Sequence, residues 1–238
     1  MSSSERNIRT SSKAVAFVAI MGALGSLLAF FSTYFVIGPN TALDFSHIAT
    51  YIVAIGGGPI LGAICGAIVG IVPAFRFFNV GLVPGKILTG FTVGFLYIML
   101  KKIDFFKRNR KTEILAIVIA GLIGYIPEMV FTILDLQILH LEFLLPFVIP
   151  KAWLEIVIIT ILMVVLFNYK VIKDMIQDLV GDRTKVGLME YLAAGIVFFG
   201  TFTFTIVVMV ISGYFVNPAT YTLFFNTMII CIIAMGTQ

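Results

Sequence analysis

Charge is scarce in this 238-residue chain, where Asp, Glu, Lys and Arg together make up 12% of the residues. An ordinary soluble domain carries about twice that share. Sixteen basic and twelve acidic side chains cannot cover a surface of this size in water, which excludes a soluble enzyme and a nucleic-acid binder. Histidine is rarer still. His47 and His140 lie far apart, with no HExxH and no GxSxG, so no catalytic constellation and no metal site is expected. The two cysteines, Cys65 and Cys231, sit inside apolar runs and form no disulfide framework. No neighbouring histidine activates Cys65. A phosphate-cradling GxxxxGK[ST] is missing too, so the chain is not expected to hydrolyse ATP itself. No inverted repeat is evident, which counts against a self-sufficient secondary transporter.

Apolar sequence is what the chain has instead: 60% hydrophobic residues, 23 of them Phe, and a mean hydropathy of +1.09. A bilayer crossing needs roughly 20 apolar residues. The first run, 14–36, is too long for a signal-peptide core and is expected to stay as a helix over 14–35. The stretch 48–75 is interrupted by Gly56-Gly57-Gly58-Pro59, which predicts two shorter helices, 46–57 and 59–74, joined by a tight turn. Further segments are expected over 84–100, 113–134, 151–169, 188–213 and 222–236, eight in all with seven as the alternative. The fold class is therefore all-α, a polytopic membrane helix bundle.

Basic residues orient it. The N-terminal tail, the loop 101–112 (KKIDFFKRNRKT) and the loop 170–186 hold thirteen of the sixteen Lys and Arg residues. Eight crossings put all three regions on one side, which the positive-inside bias makes cytoplasmic, N-terminus included. The net charge of +4 is then a topological signal, with anionic headgroups as its partners. Small residues mark packing faces: Gly58, Gly62, Gly66 and Gly70 recur every four positions, as do Gly81 and Gly85, and Gly90 and Gly94. Ala116, Ala120 and Gly124 do the same in the fifth segment. On the first helix Ala16, Ala19, Gly22, Ala23 and Ser26 form a smooth surface. It either packs within the bundle or docks to another membrane protein.

The remaining ionisable groups cluster at outer helix ends. Lys86, Glu128, Lys151 and Glu155 lie within the first two turns of their apolar segments, a costly place unless they face a cavity or each other. They point to a polar recess open to the outside. Lys151 and Glu155, four apart, also suit a simple pair, and Trp153 suits an interfacial anchor. Tyr125 and Glu128 flank Pro127, a kink that frees carbonyls. Arg76 and Asn79, with Phe77 and Phe78 between them, make a mix suited to a flat heterocycle. The candidate substrate-binding residues are Arg76, Asn79, Lys86, Tyr125, Glu128, Lys151, Trp153 and Glu155.

The run Leu43-Asp44-Phe45-Ser46, a short apolar helix, Gly58-Pro59-Ile60-Leu61-Gly62 and the Gly-rich PGKILTGFTVGF from Pro84 to Phe95 resemble the substrate-binding S components of energy-coupling factor (ECF) vitamin transporters. The resemblance covers roughly 12–172. It implies a six-helix S-component-like domain over 1–172 and a subunit that binds a vitamin or related micronutrient at the outer side. It implies closure of the loop 36–46 over that ligand, without catalysis and without a cofactor. Ala19 and Ala23 match the element by which such proteins dock onto a transmembrane coupling (T) protein driven by two ATPase subunits in the cell membrane. Residues 173–238, a cytoplasmic linker and two hydrophobic helices, are an addition to that family core. Gly85–Gly90 shows no matching substrate-reading pattern, so the vitamin stays open. An ion-coupled secondary transporter of a small metabolite and a non-transporting membrane scaffold are the competing readings.

Overall fold

The computed structural model of the protein describes residues 12–181 apart from 39, 40 and 78. The expected helices 188–213 and 222–236, and the tail with Arg6 and Arg9, lie outside the described residues. Among the described residues five helical stretches are long and apolar enough to cross a membrane. They are α1 (Ser12–Phe31), α2 (His47–Phe77), α3 (Leu82–Lys102), a fourth stretch Arg110–Ile138, and a fifth that ends at Asn168. The protein is an all-α multi-pass membrane bundle. A four-residue helix α4 (Asp104–Lys107) lies in the predicted loop 101–112. The fourth stretch is itself two helices, α5 (Arg110–Gly124) and α6 (Ile126–Ile138); α7 (Leu145–Asn168) and α8 (Lys170–Val180) follow.

α2 is not one rod. Gly58 breaks it with φ 84° and ψ −177°, a conformation closed to residues with a Cβ. The arms on either side, 47–57 and 59–77, fold back on each other. A Cβ placed on Gly62 would stand 2.8 Å from the Cβ of Ala54, and one on Gly25 of α1 would stand 2.9 Å from Ala49 and also against Val69. Residues 8 and 20 apart in sequence are neighbours only in a hairpin. The tight turn expected at Gly56–Pro59 is therefore present.

The second arm lies antiparallel to α3 in backbone contact. Gly94 packs on Gly58 and Pro59, Gly62 and Gly90 face each other's carbonyls, Gly66 meets the Lys86 carbonyl, and a Cβ on Gly70 would sit 2.7 Å from Val83 Cα. The four-residue glycine spacing is thus used along its whole length, and it fixes the depth of Lys86. Gly85 and Gly81 face the other way, towards Glu128 and Asp135 of α6. Gly124 packs on Val93, which ties α5 to α3.

Five features depart from expectation. α1 stops at Phe31, four residues early, because the Ser32 hydroxyl donates to the Leu28 carbonyl (2.7 Å) and the chain turns into a small antiparallel pair, β1 (Val36–Gly38) with β2 (Thr41–Ala42). The segment 113–134 is split at Tyr125 because Pro127, in the first turn of α6, offers no N–H to continue the ladder. α5 starts at Arg110 behind Asn109, whose side chain accepts from the Thr112 N–H (2.9 Å) while Thr112 returns the bond. α7 begins six residues before Lys151, with Pro146 in its first turn. Lys151 and Glu155 therefore sit in its second and third turns. The expected loop 170–186 is helical over α8 because Ile172, Ile176, Leu179 and Val180 recur with helical period and pack inward.

The register of α3 against the arm 59–77 generates a clean test. Gly90→Ala places a methyl against a backbone carbonyl that has nowhere to go, and should cost about 1–3 kcal/mol. Gly85→Ala, with its Cβ at an ordinary 3.4 Å from Glu128, should cost much less. Thermal unfolding of the two variants in detergent measures the difference.

Candidate functional site

Three of the sixteen Lys and Arg residues fall outside the basic regions: Arg76, Lys86 and Lys151. All three line one cavity of about 240 Å³. The cavity lies at the end of the bundle opposite the 101–112 loop, between α1, the 42–47 segment, the top of the arm 59–77, α3, α6 and α7. Its apolar wall comes from Ala29, Pro73, Leu82, Leu136, Leu141, Leu144 and Val148. Its polar wall is a chain of paired charges.

Asp44 is the centre of that chain. Its carboxylate accepts from the Lys86 ammonium (2.8 Å) and from the Ser46 N–H (2.9 Å), and its own backbone N–H donates to Glu155. Lys86 also donates to the Ser46 hydroxyl (2.7 Å), while Lys151 sits 3.2 Å from Glu155 one turn away. The segment 44–46 is thereby tied to α3 and α7 at once. Burial by itself would raise the Asp44 carboxyl; the Lys86 ammonium, the adjacent His47 and the Ser46 hydroxyl outweigh it and hold the group far below the ordinary carboxylate range.

A second pair lies deeper. Glu128 of α6 accepts from the Thr89 hydroxyl and stands 3.4 Å from His47 Nε2. Both residues are buried. The His47 ring meets Tyr51 and Tyr125 edge-on, at 6.4 and 6.1 Å between centroids. Its Nδ1 has no hydrogen-bond partner among the described residues. No group of three His, Cys, Asp or Glu side chains among the described residues stands close enough to hold a metal ion.

Seven of the eight residues singled out from sequence line this cavity: Arg76, Asn79, Lys86, Tyr125, Glu128, Lys151 and Glu155. Arg76 is at the exposed rim, its guanidinium 4.9 Å from the centre of the Phe77 ring. Asn79 is held by Asp135 (2.6 Å) and accepts from the Gly81 N–H (2.8 Å). Trp153 stays outside. It packs edge-on against Tyr125, 6.0 Å between centroids, with Nε1 3.1 Å from Met129 Sδ, and so buttresses the wall. Sequence reasoning passed over Asp44, Ser46, His47 and Thr89. The signal for the first three was the Leu43–Ser46 run itself. His47 was set aside because no second histidine lies near it in sequence, although its partner proves to be a carboxylate.

On α1 the smooth surface divides. Ala16, Ala19 and Ala23 are exposed, together with Ile20 and Leu24. Gly22 turns inward, where a Cβ would meet Ile68 at 2.9 Å, and the Ser26 hydroxyl donates to the Ile68 carbonyl (3.4 Å).

The family model described as ECF transporter, substrate-specific component, matches residues 13–167, more than half of the chain. The chain belongs to this family. As an ECF S component it is a substrate-binding membrane transport protein. No curated protein and no solved structure matches the chain. The matched segment runs from α1 into α7 and contains every side chain that lines this cavity of the S component.

Two outcomes follow from the Asp44 network. Lys86→Met strands two acceptors in a buried setting and should destabilise the protein by about 3–5 kcal/mol, whereas Lys86→Met with Asp44→Asn should recover part of that loss; thermal unfolding of single and double variants reads both. A carboxyl whose folded pKa is depressed contributes stability above its unfolded value of about 3.9 and loses it only in stronger acid. The stability that Asp44 contributes should therefore be lost as the pH falls below about 4, read as a shrinking difference between the parent and Asp44→Asn.

Proposed function

We propose that this S component is the high-affinity binding subunit of an ATP-driven importer for a vitamin or related micronutrient. Partner subunits supply the energy: a transmembrane T protein and two ATPases. The observation that carries the reading is the cavity at the end away from the basic loops. Every Lys and Arg that topology does not require lines it: Lys86 is paired with Asp44 and Lys151 with Glu155, His47 faces Glu128, and Arg76 stands at the rim. Charges buried in a membrane protein without a topological reason are kept for a solute or a partner.

The reading continues through the geometry. Counting the two arms of α2 separately supports six crossings; with a cytoplasmic N-terminus, the cavity opens to the outer face of the cell membrane. The loop 36–46 covers the bound molecule, with Asp44 as its fastening. A cavity of about 240 Å³ suits a single ring system with a few polar substituents. In this reading the site binds and does not catalyse: Asp44, Glu128, Glu155, Lys86 and Lys151 are held in pairs, and Arg76 at the rim is left to meet the solute. The exposed Ala16, Ala19 and Ala23 let a T protein approach the α1 backbone closely, with little side-chain entropy to lose. Substrate then reaches the cytoplasm by toppling of the S component in the bilayer.

The deciding measurement is mass spectrometry of the small molecule retained by the full chain purified in mild detergent without ATP. A heterocyclic micronutrient should be retained by the parent protein, and Glu128→Gln should weaken its binding about tenfold or more, as loss of a charged hydrogen-bonding partner does. Uptake by the full chain in liposomes should require T protein and ATPase subunits. Concentrative uptake by the chain alone, driven by an ion gradient, would overturn the proposal.

A further inference from the structure

A second cavity, of about 300 Å³, lies at the opposite end of the bundle, where α8 crosses the tip of the α2 hairpin. Lys101, at the end of α3, and Lys173, on α8, line it together with Gln177. Ile55, Ile98 and Phe167 supply apolar wall. Both ammonium groups donate to the same oxygen of Glu113 on α5, Lys101 at 2.7 Å. Glu113 stands behind the cavity and is not part of its lining. One carboxylate thus anchors two cations, which leaves one positive charge over and several ammonium donors directed elsewhere.

The cavity is built rather than accidental. Ile176 of α8 seats directly on Gly56, where any Cβ would collide with it. Lys173 is one turn before Ile176, so this contact sets the height at which Lys173 meets Lys101. On the outer side of α8, Val171 and Met175 are exposed apolar residues, and Ile103 and Phe105 are exposed beyond the end of α3. An amphipathic helix with such residues beside a basic pocket lies at the level of lipid headgroups.

We propose that this cavity binds the phosphate of an anionic phospholipid headgroup, with Lys101 and Lys173 as its cationic ligands and Gln177 as a hydrogen-bonding partner. The chemistry recognised is a phosphate carrying net negative charge. The apolar wall and the exposed residues around it select a lipid as its source over a free anion.

The full chain in detergent, titrated with phosphatidylglycerol or phosphatidylcholine and read by native mass spectrometry, tests this. The parent protein should retain phosphatidylglycerol and not phosphatidylcholine. The double variant Lys101→Gln/Lys173→Gln should lose about tenfold or more of that retention, while Lys101→Arg/Lys173→Arg should keep it. Gln177→Glu leaves both lysine–Glu113 pairs in place and adds a repelling charge, so it should also lose phosphatidylglycerol; it keeps the test decisive if the double glutamine variant does not fold. Equal retention of the two lipids, or undiminished retention in Gln177→Glu, overturns the proposal. So does displacement of the lipid by millimolar inorganic phosphate, which would assign the cavity to a free anion.

Discussion

A charge taken out of water must find an opposite charge, and the end of this bundle away from the 101–112 loop is arranged around that requirement. Lys86, Lys151 and His47 each face a carboxylate, and the three pairs come from the 44–47 segment, α3, α6 and α7. No helix supplies both members except α7. The Lys86–Asp44 and His47–Glu128 pairs therefore work as cross-links between elements that lipid alone would hold only loosely, because apolar side chains gain little by meeting each other in a hydrocarbon solvent. A molecule entering the cavity exchanges partners with groups that are already desolvated.

The cross-links depend on backbone positions set elsewhere. Lys86 can reach Asp44 because α3 lies against the arm 59–77 in one register, fixed by glycines on both sides of the contact. Glu128 can approach because Gly85 leaves room opposite it. The same helix thus uses Gly90 and Gly94 for the hairpin and Gly81 and Gly85 for α6. Packing and site are two faces of a single element.

Much of this was legible in the amino-acid order. Glycines every four residues announced close helix contact, and the Gly56–Pro59 cluster announced the hairpin, because both depend on local stereochemistry. The distribution of Lys and Arg singled out the three cations of the outer cavity, since topology explained all the others. What sequence could not supply was pairing at a distance. His47 and Glu128 are 81 positions apart, and Asp44 meets Glu155 across 111. Nor did local pattern reveal that Trp153 faces away from the cavity, since a residue next to Ala152 and two before Glu155 differs from both only by its angle around α7. The early start of α7 and the helicity of α8 have a simpler basis: a proline-containing stretch and a charged stretch have the composition of loops yet fold as helix.

The break at Gly58 leaves the first arm only eleven residues long, about 16 Å of helix. His47 stands at one end of that arm, and the turn at the other end borders the Lys101–Lys173 level. Against a hydrocarbon thickness of about 30 Å, that arm is only about half as long. One short rod and its hinge are therefore all that separates the floor of the His47 cavity from the basic level at the other end of the bundle.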